Sequence, residues 1–217
     1  MNMHTRPTKH LLHHLRVEAA DQPDLFTGKA ELYGMMGVYG GHLLGQGLCA
    51  ALHTVDEPKV THSFHAYFLQ RCDPDLKLKY QVQRLRSGKW GDTRSITASQ
   101  GDNQVFHMIA SFKVAEAGDE HQKTMPAVDS PEALIAQREA RGEETFPFPP
   151  IKDGRTQIEF ASAGFLEFIE DRAPELRLWM RTPYSVDRSE QLTTREGQIA
   201  LAYLSDATLL FNSVIPH

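Results

Sequence analysis

Residues 36–55, MGVYGGHLLGQGLCAALHTV, constrain this chain more than any other stretch. A glycine pair, Gly40-Gly41, stands near its start, and no acidic or basic side chain other than histidine occurs in it. On a helix, Leu43, Leu44, Leu48, Cys49, Ala50, Ala51 and Leu52 point in every direction. A helix apolar all round must be buried on all sides. No run in the chain is continuously apolar over the roughly 20 residues that span a bilayer, so protein has to supply the cover.

That cover is available just downstream. Val60–Gln70, Leu76–Leu85, Thr93–Gln100 and Val105–Val114 alternate as half-buried strands do, and Phe26–Tyr33 reads as an earlier strand. Leu76, Leu78, Tyr80 and Val82 share one face. Ser87-Gly88 and Gly101-Asp102-Asn103 are turns. No helix intervenes, so the strands form an antiparallel meander. A long helix enclosed by a curled antiparallel sheet is an α+β hot-dog arrangement.

The composition changes after Ala115. Ser130-Pro131-Glu132 starts a charged surface helix that Gly142 ends, and Phe146–Pro150 reads as extended. Ile158–Phe160 and Leu176–Met180 then read as new strands. Gln198–Phe211 repeats the unusual helix, apolar nearly all round with one charge, Asp206. The expected organisation is a tandem double hot-dog: a first unit over 1–115, a connector with a surface helix over 116–152, and an incomplete second unit over 153–217.

Charge and composition exclude several classes. A net charge of −5 with both signs interspersed leaves no electrostatic footprint for nucleic acid. Cys49 and Cys72 show no pairing pattern, and the N-terminus lacks a secretory signal's apolar core, which points to a reducing cytoplasmic setting. His10 and His14 stand four apart around Leu11, Leu12 and Leu15. No acidic or cysteine ligand is grouped with them, so a solvated terminal helix is expected and no metal or cofactor.

Gly40-Gly41 lacks what a Walker loop or a dinucleotide fingerprint needs: no Lys-Ser or Lys-Thr follows Gly45, and no parallel unit follows the pair. Two compatible readings remain. The glycines let the helix turn sharply and approach the sheet closely, and its first amides can hold a carbonyl oxygen or phosphate. His62 and His65 point to opposite faces of a strand and cannot share a metal ion. His62 falls on the face of Phe64, Ala66 and Phe68, as a core histidine or a site residue.

Asp206 is the most informative residue. A carboxylate in an apolar helix is costly unless solvated, paired or used. One reading is local: Ser205 or Asp206 ends one helix and caps a short second one. The other places Asp206 in a cavity, holding or deprotonating a water. Such a water can attack a thioester whose carbonyl oxygen lies at backbone donors. The thiolate leaves readily, and no G-x-S-x-G elbow offers a covalent nucleophile.

Four blocks, in order, carry a family likeness: GVYGGHLLGQGL (37–48), HSFHAYFL (62–69), MIASF (108–112) and ALAYLSD (200–206). They resemble the thioesterase II family of acyl-CoA thioesterases, double hot-dog enzymes of bacteria and peroxisomes that hydrolyse acyl-CoA to fatty acid and coenzyme A. The resemblance implies that Asp206 is the family's water-activating aspartate, which acts there with a threonine and a glutamine. Gly40, Gly41, His42 and His62 are the expected substrate-binding residues. His42 stands where the family usually has glutamine, and Trp90-Gly91-Asp92 departs from its usual small and aromatic residues. The family's threonine and glutamine lie beyond His217, so no residue here inherits those roles.

The second helix also needs cover for Ile199, Leu201, Tyr203, Leu204, Leu209, Leu210, Phe211, Val214 and Ile215. Leaving half of them exposed forfeits on the order of 10 kcal/mol, against a total domain stability of about 5–15 kcal/mol. The expectation is therefore a fragment, a homo-oligomer, or a complementing chain that completes the second sheet. Two rivals to the hydrolase remain: a non-catalytic acyl-CoA binder or structural half, and, ranked below it, an enoyl-CoA hydratase, which needs an aspartate–histidine pair in one cavity.

Overall fold

In a computed structural model, residues 8–31, 37–142, 159–162, 178–181 and 192–207 are described. In chain order the elements are α1 (Thr8–His14), β1 (Glu18–Ala19), β2 (Leu25–Lys29), α2 (Gly40–Leu52), β3 (Val60–Phe68) and β4 (Lys77–Ser87). They continue with β5 (Gly91–Gln100), β6 (Asn103–Lys113), α3 (Pro131–Ala140), β7 (Glu159–Ser162), β8 (Leu178–Arg181) and α4 (Thr194–Ser205). A six-stranded sheet runs in the order β1-β2-β4-β5-β6-β3, and β7 pairs with β8. Every strand pair is antiparallel.

The alternation read in the sequence becomes the inner face of the sheet. Leu78, Tyr80 and Val82 of β4, Ile96 and Ala98 of β5, and Phe106, Met108 and Ala110 of β6 are all at most 2% exposed. Helix α2 lies against this face, with Leu48, Ala50 and Ala51 fully buried. Each fully buried leucine contributes about 1.5–3 kcal/mol, so the glycine-led helix is the centre of the hot-dog. Leu76 is the exception to the alternation, half exposed just before β4 starts.

The N-terminal segment differs from expectation. Its helix is not a solvated appendage: Leu11 and Leu15 sit in the core, because α2 needs cover on the flank the sheet does not reach. Strand β3 also departs from simple alternation. Its register against β6 shifts between Thr61 and Ser63, and the extra residue of such a bulge is left unpaired. His62 is that residue, and it is exposed rather than facing the helix with Phe64 and Ala66.

Helix α4 packs on α2 and is fastened to the start of β3. A capping box between Thr193 and Glu196 begins it. The Arg195 guanidinium donates to the carbonyls of Val55 and Lys59. Gln198 exchanges two bonds with the Thr61 backbone, as a neighbouring strand would. Ile199, Ala202 and Tyr203 join the α2 core. Two expectations need correction here. The helix ends at Ser205 rather than running to Phe211, and Leu201 is 63% exposed, so α4 is not apolar-buried all round.

The surface helix is α3, where Ser130 Oγ accepts the Ala133 amide and Gly142 takes a left-handed φ of 69°. Residues 32–36, 143–158, 163–177, 182–191 and 208–217 lie outside the described set. The Phe146–Pro150 stretch, expected from the sequence to be extended, and the late apolar residues from Leu209 to Ile215 belong there. Among the described residues no helix is long and apolar enough to cross a membrane.

Candidate active site at the crossing of two helices

Asp206 is the C-cap residue of α4. A carboxylate at a helix C-terminus faces the negative end of that helix's dipole, which costs about 0.3–1 kcal/mol. Its side chain instead turns to the N-terminus of α2, where Oδ2 accepts the Gly41 amide at 3.0 Å. That contact compensates. Tyr39, the N-cap residue of α2, makes no side-chain capping bond, so the acceptor for an orphan first-turn amide arrives from another helix. The local-cap reading of Asp206 is thus modified: it ends its own helix and caps α2.

The close approach needs both glycines. A Cβ at Gly41 would lie 2.1 Å from the Tyr203 carbonyl oxygen, and one at Gly40 would lie 2.4 Å from Asp206 Oδ2. Tyr39 closes the crossing. Its hydroxyl donates to the Tyr203 carbonyl at 2.9 Å, and the two rings pack edge to face with centroids 5.0 Å apart.

Gly40 and Asp206 line a cavity of about 450 Å³. Val38, Leu43, Phe68 and Leu69 contribute apolar lining, and Gln70, Arg71 and Cys72 complete it. Asp206 is half-buried. Desolvation raises its pKa above the ordinary carboxylate value, and the Gly41 amide pulls partly the other way. A carboxylate so placed is more basic than a free one.

The expected site residues divide. Asp206, Gly40 and Gly41 come together. His42 is on the same helix but is 3% exposed, and its Nε2 donates to the Lys29 carbonyl at 2.9 Å. Burial lowers its pKa, so it is a neutral tie between α2 and β2. Neither His42 nor His62 lines the cavity. Sequence reasoning passed over Tyr39, Phe68 and the Gln70–Cys72 segment. Arg71 carried a signal: a cation directly after a strand, in a stretch otherwise read as cover. Among the described residues no cluster of three or more His, Cys, Asp or Glu is placed to hold a metal.

An antiparallel sheet folded over one long helix, with a carboxylate-bearing cavity at that helix's N-terminus, defines a hot-dog protein. Residues 30–113 match the family model described as the acyl-CoA thioesterase N-terminal domain. Acyl-CoA thioesterase 2 of Haemophilus influenzae is 32% identical over 95% of this chain and 73% of its own length. The chain belongs to the acyl-CoA thioesterase II family. Human acyl-coenzyme A thioesterase 8 is 28% identical over 94% of this chain, which spans 66% of the human protein. Among solved structures, acyl-CoA thioesterase II TesB2 of Mycobacterium marinum superposes with a TM-score of 0.68 at 27% identity, covering 96% of this chain and 71% of its own. The tesB protein of Mycobacterium avium subs paratuberculosis shares the fold, with a TM-score of 0.74 at 24% identity over 96% of this chain and 73% of its own.

Proposed function

We propose that this chain hydrolyses acyl-CoA thioesters to free fatty acid and coenzyme A, with Asp206 activating the attacking water. The observation that carries the reading is the half-buried Asp206 carboxylate on the wall of a cavity of mixed polarity at the α2 N-terminus. Asp206 takes a proton as water adds to the thioester carbon. The resulting oxyanion is held by first-turn amides of α2, the C–S bond breaks, and the thiolate leaves and is protonated. No acyl-enzyme forms.

The test is release of free thiol from acyl-CoAs of graded length, by wild type and Asp206→Asn. Turnover that falls at least a hundredfold in the variant supports the role; equal rates reject it. A non-catalytic acyl-CoA binder is favoured by one observation: the Gly41 amide is already engaged by Asp206. A carbonyl oxygen must then use the Gly40 amide or displace the carboxylate. That reading predicts acyl-CoA binding with no turnover by either protein.

We place the reaction in the cytoplasm and, within this reading, divide the chain into a first hot-dog unit, a connector and a partial second unit opened by β7, β8 and α4. The exposure of Leu201, Trp179 and Met180 supports a second copy or a complementing chain over the later unit. Light scattering that finds only monomer would reject the oligomer.

A further inference from the structure

The cavity beside Asp206 holds a cation that the hydrolytic step does not use. Arg71 is exposed on the rim, and no described residue forms an ion pair or hydrogen bond with its guanidinium. It is the one cation among the described residues lining this cavity. The chain around it carries a net charge of −5, so a polyanionic ligand approaching this mouth meets repulsion unless a local positive charge offsets it.

The backbone that carries Arg71 is pinned on both sides. The Leu69 and Gln70 amides both donate to the Val105 carbonyl. The buried Gln100 side chain accepts the Asp73 amide at 2.8 Å and donates to the carbonyls of Asp73 and Leu76. An exposed guanidinium on a pinned loop, lining the cavity without an ion-pair partner among the described residues, can receive an anion. Its planar fork matches phosphate oxygens two at a time. Val38, Leu43, Phe68 and Asp206 line the same cavity, so apolar surface, the carboxylate and the cation share one site.

We propose that Arg71 receives the phosphate-bearing end of the coenzyme A moiety while the thioester lies against Asp206. The inference rests on the hydrolase reading for the thioester's position, but the anion site has a readout of its own. An acyl-CoA spans the cavity from rim to carboxylate. A truncated thioester, the same acyl group on N-acetylcysteamine, carries no phosphate and reaches only the inner part.

The experiment compares both substrates with wild type, Arg71→Gln and Arg71→Lys, and adds calorimetric titration of coenzyme A itself. Losing one charge-assisted phosphate contact is expected to raise the acyl-CoA KM about tenfold in R71Q. The truncated thioester should change far less, so the ratio of the two KM values rises. R71K should recover part of the loss, and coenzyme A binding should weaken in parallel with R71Q. Added salt should raise the wild-type KM for acyl-CoA more steeply than that of R71Q. Equal changes for both substrates, or coenzyme A binding that R71Q leaves intact, would overturn the proposal. Absence of turnover by wild type on either substrate would reject the hydrolase reading alone, and the coenzyme A titration would still decide Arg71.

Discussion

The Asp206 carboxylate accepts the Gly41 amide across 165 residues of sequence, so the end of α4 caps the beginning of α2. The geometry separates the roles of the two glycines. A methyl at Gly41 meets the Tyr203 backbone oxygen, which moves only if the helices part. Gly41→Ala should therefore cost about 1–3 kcal/mol or more through overpacking, read as a fall in the urea midpoint. A methyl at Gly40 meets the Asp206 carboxylate and the Phe68 ring, both side-chain ends that can swing aside. Gly40→Ala should keep most stability and lose turnover; a variant equal to wild type in rate would disconnect the glycine from the carboxylate.

The pH dependence of Asp206 has a definite sign. Burial raises its folded-state pKa above the ordinary carboxylate value, despite the Gly41 bond. The folded protein thus holds this proton more tightly than the unfolded chain. The associated stability is fully present below the unfolded pKa and is lost as pH rises through the folded one. Above the raised pKa the ionised group weighs against folding, whereas asparagine keeps an acceptor for Gly41 without the charge. Asp206→Asn should melt at or above the wild-type temperature near neutrality, with the gap closing as the buffer is taken into the acid carboxylate range. Wild-type turnover should rise with pH through the raised pKa, since the base must be ionised. A variant that melts well below wild type at neutral pH would show the carboxylate to be mainly a structural cap.

What the sequence made legible follows from the physics of each feature. Apolar residues all round a helix and alternation along strands depend only on local spacing, so α2 and the β4–β6 meander could be read directly. Strand order could not: β3 precedes β4 in the chain but lies at the far edge beside β6. The His62 bulge was also invisible, because alternation continues on both sides of the inserted residue. Asp206 stood out as a charge among apolar residues, yet its partner depends on a helix crossing that no local pattern encodes. Gln46 was passed over and His42 was read as a substrate-binding residue, because their actual partners are carbonyls and a phenol on other elements.

Arg94 is a second buried charge, 1% exposed on β5. Its guanidinium donates to Thr54 Oγ1 and the Thr54 carbonyl at 2.8 Å, to the carbonyls of Arg86 and Thr93, and to Asp92 at 3.1 Å. It thereby ties the β4–β5 hairpin to the turn after α2. Lys59 lies 3.1 Å from the other Asp92 oxygen. Arg94→Met strands part of this network and should cost about 3–5 kcal/mol. Arg94→Lys should recover little, since an ammonium cannot reproduce a planar fork serving several acceptors. Chemical denaturation decides it, and a lysine variant as stable as wild type would refute the need for the fork.

Tyr80 and Gln46 form a pair with no exposure at all. The phenol donates to Gln46 Oε1 at 3.0 Å, while Gln46 Nε2 donates to the carbonyls of His14 at 3.0 Å and Lys29 at 3.2 Å. One side chain thus joins α2 to β4, to β2 and to the end of α1. Tyr80→Phe removes the donor and leaves Oε1 buried without a partner, at a cost of about 1–3 kcal/mol. In a Gln46→Leu background that oxygen is absent, and the same substitution should cost much less. A double-mutant cycle measured by urea unfolding reads the difference as coupling. Additive effects would mean that the phenol contributes through packing alone, leaving the cohesion of the wrapped helix to its apolar contacts.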